Sequence, residues 1–426
     1  MSKEAISLIG YGVSNKAVYE YFKQLNCPIT VRTPQKTDVP VGTRNIYGES
    51  YLDTNEDMVF RSPSVLPSRI KGKGRILCES EFALSGIDCT KIGITGSDGK
   101  TTVSTLIHKI LNRGRRAYLG GNIGYPLINY VGKLKKDDTL VCELSSFQLF
   151  DMKPQLDVSV ITNITPNHLD IHKSYVEYIS AKLNILKNAK YSVLGLDAYK
   201  IVHSVAEFED KRLCVATLDD MSHSLNCRLD FVYPKGEHLY FNKEPIVRIN
   251  DIKLRGSFNL LNVCIAIGAT YNLTSADKIK DGIESFYGVD GRMEHIGSHR
   301  GVDYYDSAID STPSRTLATV SAFDKSRTVI ILGGYDKNLS YEELGKGLTG
   351  IKHAVICGSN SEKIAYVLKN RCNFTLCDSF SESVKIASRV AKEGDNVLLS
   401  PASASYDMFE NYKKKSDKFK EIVRGL

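Results

Sequence analysis

The sequence predicts an α/β protein built from largely parallel sheets. Short apolar runs alternate with segments of helical period along almost all of its 426 residues. The alternating series also restarts, near Lys91 and again near Val302. A chain of this length suits two to four domains of about 100–200 residues each. The restarts divide it into three: 1–90, 91–288 and 289–426.

In the first series Ala5 to Ile9 reads as a strand followed by a glycine turn. The helix after it places Ala17, Val18, Tyr21, Phe22 and Leu25 on one face, and Pro28 to Val31 returns as a strand, a βαβ opening. In the second series Ile92 to Thr95 is a strand. A helix from Thr101 buries Val103, Leu106, Ile107, Ile110 and Leu111 and stops near Gly114. Thr139 to Cys142 and Val158 to Thr162 are further strands, and Ser174 to Glu177 forms a capping box at a helix start. From about residue 190 to 255 the chain is polar and mixed, with no readable strand order. The third series holds strands at Thr328 to Leu332, Ala354 to Cys357 and Val397 to Leu399, with helices between.

Composition narrows the class. Apolar residues make up 42% and charged residues 25%, an ordinary globular balance. The net charge of +7 arises from 56 basic and 49 acidic side chains dispersed along the chain, which suits anionic small substrates and equally an ordinary surface. No dense Lys/Arg run with interleaved aromatics argues for nucleic acid. The ten cysteines include no CxxC pair and no Cys/His cluster, which argues against structural zinc. The opening residues lack the basic and long apolar regions of a secretory signal, and no stretch of 18 apolar residues offers a membrane span. The expectation is a monomer in a reducing cytoplasm with free thiols.

The sharpest motif is Gly96-Ser97-Asp98-Gly99-Lys100-Thr101-Thr102, a glycine loop between a strand and a helix. Small residues let backbone N–H groups approach phosphate oxygens, and the helix start adds the positive end of its dipole. Lys100 suits the charge of β and γ phosphates, and Thr101 or Thr102 offers a hydroxyl to magnesium. Position 94 is isoleucine, so this is a shorter GxxGKTT form rather than the full GxxxxGK[ST]. Glu143 ends a buried strand, a place for a magnesium carboxylate or equally for a helix-capping one. His168 follows the next strand end, as a metal ligand, a polarising group or a structural histidine. Lys182, on the capped helix, reads by itself as a solvated lysine.

GSDGKTT, LGGNIG, ELSSFQL, TNITPNHLDIH and EYISAK in this order resemble the Mur ligase family, with the likeness weakest between residues 190 and 250. The resemblance implies a Rossmann-like N-terminal domain, a central P-loop ATPase-type domain and a Rossmann-like C-terminal domain. They would bind a UDP-linked precursor, ATP and an amino acid respectively. It implies that the Gly96–Thr102 loop, with Lys100 and Thr101, holds ATP phosphates. Thr101, Glu143, His168 and Lys182, the last as a carbamate, would hold Mg2+. Asn259 and Asn262 would meet adenine and ribose, Arg292 would reach ATP, and Asp306 would orient the nucleotide ribose. Asn122 would lie near the precursor's carboxyl group.

At the N-terminus Gly10-Tyr-Gly12-Val-Ser14-Asn15 is an incomplete GxGxxG, weak as a dinucleotide fingerprint. The resemblance makes it a diphosphate site, with Ser14 and Asn15 as hydrogen-bonding groups, Ser62 in a loop resembling the family's SPG, and Arg32 and Thr33 beside the nucleotide. In the third domain Lys337 is a loop lysine by residue type. The resemblance places it on an amino acid's α-carboxylate, with Ser405 and Tyr412 at the side-chain carboxylate.

The sequence departs from the family pattern at Phe258, where a histidine is usual, at Ser64, where the SPG loop has glycine, and in two longer segments. Asp306-Ser-Ala-Ile-Asp310-Ser stands where DSKATN is usual, and Lys415-Ser-Asp417 where RGD is usual. An aspartate beside a substrate carboxylate would repel it, so Asp310 must face elsewhere, pair with a cation or mark another selectivity. Arg315, one turn into the next helix, is expected to supply the lost positive charge. The ELSSFQL segment implies addition of D-glutamate to UDP-N-acetylmuramoyl-L-alanine through an acyl phosphate. The rival readings are a relative using another amino acid, a folylpolyglutamate synthetase, a silent UDP-sugar binder and a simple oxidoreductase.

Overall fold

A computed structural model describes residues 4–167, 171–205, 212–223 and 229–426. The α/β expectation holds, and the described strands form three sheets. The first is parallel: β1 (Ile6–Ile9), β2 (Ile29–Thr33), β3 (Arg44–Tyr47), β4 (Met58–Arg61) and β5 (Arg75–Leu77), in the order β3-β2-β1-β4-β5. Every residue of β1 and β4 is buried, as expected of parallel strands covered on both faces. Helix α1 (Val13–Gln24) buries Val18, Tyr19 and Phe22. Leu25, which the helical period placed on that face, is instead the C-cap residue and is 51% exposed. The sheet order reverses at β1, so the glycine turn after β1 and the Ser62 loop after β4 flank one crevice.

The second sheet has nine strands. They are β6 (Thr90–Thr95), β7 (Ala117–Gly121), β8 (Thr139–Glu143), β9 (Gln155–Ile161), β10 (Asn188–Gly195), β11 (Leu213–Ala216), β12 (Asp230–Lys235), β13 (His238–Phe241) and β14 (Glu244–Arg248). Their order is β14-β13-β12-β11-β10-β9-β6-β8-β7, parallel from β7 to β12 and antiparallel through the last two strands. Helix α2 (Glu79–Ser85) precedes this sheet. Helix α3 (Lys100–Leu111) follows β6, and its Val103, Leu106, Ile107, Ile110 and Leu111 are fully buried, each contributing roughly 1.5–3 kcal/mol of hydrophobic burial. Helix α4 (Tyr175–Leu183) starts as the capping box predicts: the Ser174 hydroxyl accepts from the Glu177 N–H, and the Glu177 carboxylate accepts from the Lys173 N–H at 2.8 Å. Because β6 sits between β8 and β9, the ends of those two neighbours rise beside the loop that follows β6.

The third sheet has the order β15-β16-β20-β17-β18-β19. Its strands are β15 (Glu294–His299), β16 (Val302–Asp306), β17 (Thr328–Leu332), β18 (His353–Ile356), β19 (Phe374–Leu376) and β20 (Asn396–Leu399). Only β15 is antiparallel to its neighbour. The remaining described α-helices are α5 (Leu196–Val205), α6 (Ser257–Thr270), α7 (Ala276–Glu284), α8 (Pro313–Val320), α9 (Glu342–Gly347), α10 (Ser361–Leu368), α11 (Phe380–Val390) and α12 (Tyr412–Arg424). The chain gathers into two compact units, Met1–Ile249 with Leu261–Ile283, and Asn250–Leu260 with Glu284–Leu426. No helix among the described residues is long and apolar enough to cross a membrane.

Candidate active site

The loop between β6 and α3 is fixed from beneath by the residues that follow β9. The Asn163 carboxamide oxygen accepts from the Ser97 and Asp98 N–H groups at 3.1 and 2.8 Å, and the Thr162 hydroxyl donates to the Asp98 carbonyl at 2.6 Å. The Ser97 hydroxyl is 2.8 Å from that of Tyr178 on α4. Gly99, the N-cap of α3, has φ +78°, and a Cβ there would lie 2.4 Å from the Asn262 side chain. The tight loop thus brings backbone to the dipole end of α3, the geometry that receives a phosphate. Lys100 curls over its own loop and donates to the Gly96 and Ser97 carbonyls at 2.9 and 3.0 Å.

Glu143, the last residue of β8, is 3% exposed, and both carboxylate oxygens are engaged. One accepts from the Thr101 hydroxyl and the other from the Asn122 amide, each at 2.8 Å. The helix-capping alternative for Glu143 is replaced by this bridge to the second residue of α3. Lys182 is no solvated lysine: it is 2% exposed, donates to the Gly96 carbonyl at 2.8 Å and lies 4.7 Å from the Tyr178 ring centre. Burial, with the Lys100 ammonium adding repulsion, draws its pKa down to about 7 against the pull of Asp98 and Glu143. A hydroxyl, a carboxylate and an amine of lowered pKa therefore meet at one edge of the phosphate-type loop. The hydroxyl and the carboxylate are hard oxygen donors of the kind that suits Mg2+, which takes one or two protein carboxylates and completes its shell from phosphate and water. His168 lies outside the described residues, and among those described no three His, Cys, Asp or Glu side chains gather into a metal group.

Sequence reasoning passed over His172, although it ends the quoted TNITPNHLDIH segment. It is 1% exposed, stacks on Phe147 with ring centres 5.3 Å apart, and lies 3.0 Å from the Ser146 hydroxyl. It joins the ELSSFQL segment to Tyr178, and a second histidine four positions after His168 was the available signal.

In the third sheet the loops after β16, β17 and β20 enclose a cavity of about 140 Å³ lined by Arg315, Lys337, Ser405 and Tyr412, among others. The four amino-acid residues named from the sequence therefore come together. The Ser405 hydroxyl is buried without a hydrogen-bond partner among the described residues, which leaves it available to a ligand. Asp310 faces elsewhere: it is 5% exposed and accepts from Thr319 and Ser400 at 2.7 and 2.8 Å. Burial pushes its carboxyl up, while those hydroxyls and the Arg315 charge pull the other way.

Four expected contacts are committed elsewhere. Arg32 is buried, with one guanidinium nitrogen 2.9 Å from both Glu56 oxygens, so it braces the first sheet rather than facing a nucleotide. Thr33 is buried and donates to the Gln35 carbonyl at 2.7 Å. The Asn15 amide donates to the carbonyls of Ile9, Gly10 and Phe60 and so shapes the glycine turn. Asp306 is wholly buried, where it accepts from the Ser416 hydroxyl and the Ala308 N–H, leaving no carboxylate face for a ribose. Ser14 and Ser62 remain half-buried at the crevice, and a Cβ on Gly10 would lie 2.9 Å from that of Ser62. Asn259 donates to the Arg255 carbonyl at 2.9 Å, Asn262 packs against Gly99, and Arg292 is half-buried. Asp98 and Asn122 are exposed, while Thr102 is half-buried.

Comparison with known proteins places these features in one group. Residues 94–270 match the family model described as the Mur ligase middle domain, and residues 291–403 match the Mur ligase glutamate ligase domain. The chain is 36% identical to a UDP-N-acetylmuramoylalanine–D-glutamate ligase of Clostridium tetani, covering 99% of this chain and 96% of that one. It is 35% identical, with the same coverage, to the enzyme of that name from Clostridium beijerinckii. Among solved structures, UDP-N-acetylmuramate-alanine ligase MurC from Thermotoga maritima shares the fold with a TM-score of 0.62 at 17% identity, covering 99% of each chain. MurF ligase from Thermotoga maritima in complex with ADP has a TM-score of 0.55 at 18% identity, covering 98% of this chain and 96% of that one.

Proposed function

The chain belongs to the Mur ligase family, and we propose that it joins D-glutamate to UDP-N-acetylmuramoyl-L-alanine with ATP, in the synthesis of peptidoglycan precursors. The end-to-end likeness to UDP-N-acetylmuramoylalanine–D-glutamate ligases carries the reading. The chemistry of the two sites supports it. We assign residues 1–90 to the UDP precursor, 91–288 to ATP and 289–426 to the amino acid, in a monomer working in the cytoplasm.

A free carboxylate is a poor electrophile, so the reaction needs activation by phosphoryl transfer. The loop from Gly96 to Thr102 binds the ATP phosphates, with Lys100 released from its own carbonyls to offset their charge. The precursor's carboxylate accepts the terminal phosphoryl group, giving an acyl phosphate and ADP. The amine of D-glutamate then attacks, and phosphate leaves. Thr101, Glu143, His168 and Lys182 are the residues that would hold magnesium. Bound there, the ion neutralises charge that builds between carboxylate and phosphoryl oxygens. Lys182 is suited to its part because an ammonium that sheds its proton near neutrality leaves a free amine, which adds to carbon dioxide and releases a second proton, from its N–H, to become a carbamate anion. Asn122 steadies Glu143 and stands exposed for the precursor.

Arg315 and Lys337 face the amino acid's two carboxylates, with Ser405 and Tyr412 closing the cavity. Asp310 is no obstacle to that, being turned to Thr319 and Ser400. Replacing Arg315 tests the assignment. Arg315→Ala should raise the D-glutamate KM by roughly ten- to a hundredfold, the loss of one charge-assisted contact of about 1.5–3 kcal/mol, while leaving the ATP KM unchanged. An unchanged D-glutamate KM would remove this cavity from the reaction.

A further inference from the structure

Two thiols lie side by side where the third sheet meets the amino-acid cavity. Strands β18 and β19 run parallel with Ile356 paired to Leu376, so the next residues, Cys357 and Cys377, are neighbours across the strand ends. Both are free thiols packed in one apolar cluster with Phe380, Val384 and Phe409. The Cys377 N–H and S–H groups both reach the Ile356 carbonyl, at 3.0 and 3.5 Å. Cys357 is 1% exposed, whereas Cys377 is half-buried and open to a small reagent.

A cation completes the group. Lys415, in the segment that departs from the family's RGD, is 1% exposed and donates to the Gly333 carbonyl at 3.0 Å. Pairing with Cys377 and the Lys415 charge both draw the Cys357 thiol down, while the same pairing pushes Cys377 up. A thiol held down in this way sheds its proton more readily, and the deprotonated sulfur is the form that reacts.

The segment 357–360 is also a clamp on the loop that carries Lys337. The Cys357 carbonyl presses on Gly333 so closely that a Cβ there would lie 2.0 Å away. The Ser359 hydroxyl donates to the Gly334 carbonyl and accepts from the Asp336 N–H, both at 3.1 Å, and the Ser359 N–H donates to Asp407 at 3.0 Å. Asp407 lies two residues beyond Ser405. A shift at Cys357 therefore has no slack to absorb it before it reaches Lys337 on one side and Ser405 on the other.

We propose that Cys357 and Cys377 form a reversible disulfide on exposure to a hydroperoxide, and that this modification loosens the amino-acid site. One thiol of the pair is oxidised first, to a sulfenic acid, as the peroxide O–O bond breaks and water or an alcohol leaves. The sulfur of the other then attacks it, forming the S–S bond and releasing water. Two electrons pass from the dithiol to the peroxide, and a small dithiol reductant returns them.

The effect on catalysis rests on the ligase reading, but the modification itself does not. The full-length protein is treated with hydrogen peroxide, denatured, alkylated and digested. The expected result is a disulfide-linked peptide pair holding Cys357 and Cys377, with Cys27 and Cys372 still alkylated as half-buried controls. Dithiothreitol should reverse the link. In parallel the D-glutamate KM should rise several-fold on oxidation, with the ATP KM unchanged, and Cys377→Ser should keep the reduced enzyme's activity while losing this response. Singly alkylated Cys357 and Cys377 after treatment would overturn the site. A disulfide without a KM change, or an equal response in Cys377→Ser, would overturn the coupling. Should no ligase activity be found with any amino acid, the peptide map still decides the modification.

Discussion

Lys182 illustrates how far a residue's meaning depends on its surroundings. By type and helix position it reads as a surface lysine, yet it is buried under the phosphate-type loop with its pKa at about 7. Its folded pKa lies below the unfolded one. Between about 7 and the ordinary lysine value the unfolded chain therefore binds a proton that the folded chain has shed. This group's contribution to stability rises with pH across that window and is least favourable below about 7. Lys182→Met should accordingly stabilise the ligand-free protein by up to roughly 5 kcal/mol below about pH 7, at about 1.4 kcal/mol per pKa unit, less the lost hydrogen bond to the Gly96 carbonyl, with the gain fading towards pH 10. It should also abolish ligation. Denaturant unfolding in carbon-dioxide-free buffer at about pH 7 and pH 10 checks this, and equal gains at both values would contradict the linkage. Asp306 shows the same limit of residue type. Its motif was legible, but its complete burial against Ser416 was not, because a sequence names a carboxylate without naming its partner.

At the scale of elements the apolar periods were sufficient for most strands and for the helices that flank the site. Strand β17 spans the residues expected, and the buried face of α3 is the one its spacing predicts. Strand β15 was missed because its residues are mostly half-buried and show no alternation. The β12–β14 meander carried no readable order, since it ends the sheet at an edge where polar and apolar side chains mix. The junction of β6 with α3 is where the element matters most to function. Gly99 holds a left-handed conformation, with Asn262 where a side chain would go. Gly99→Ala should cost about 1–2 kcal/mol of backbone strain, beyond the displacement of Asn262, and should raise the ATP KM several-fold. Calorimetry and ATP titration measure both, and an unchanged ATP KM would mean that the loop does not set the phosphate site.

Across the whole molecule, three sheet-containing regions were legible in the alternating pattern, and the candidate residues divide between strand ends with the loops after them, such as Glu143 and Lys337, and the helices beside them, such as Lys182 and Arg315. What the sequence withheld was how the regions are tied. Arg61, at the end of β4, is 1% exposed and donates to the Phe147 carbonyl at 3.0 Å and the Asp151 carboxylate at 2.6 Å. It also reaches the Pro63 carbonyl, so one guanidinium holds the Ser62 loop to the ELSSFQL segment. Arg61→Met should destabilise the protein by roughly 2–4 kcal/mol, at the lower end if water reaches Asp151, and raise the UDP-precursor KM more than it lowers kcat. Denaturant titration with steady-state kinetics separates the two effects, and a loss in kcat alone would contradict the positioning role. The central claim is tested most directly by phosphate release. The protein is supplied with ATP, magnesium and UDP-N-acetylmuramoyl-L-alanine, and D-glutamate, L-glutamate and other amino acids are offered separately. The account predicts release that depends on D-glutamate, and release that requires a different amino acid, or none with any of them, would contradict it.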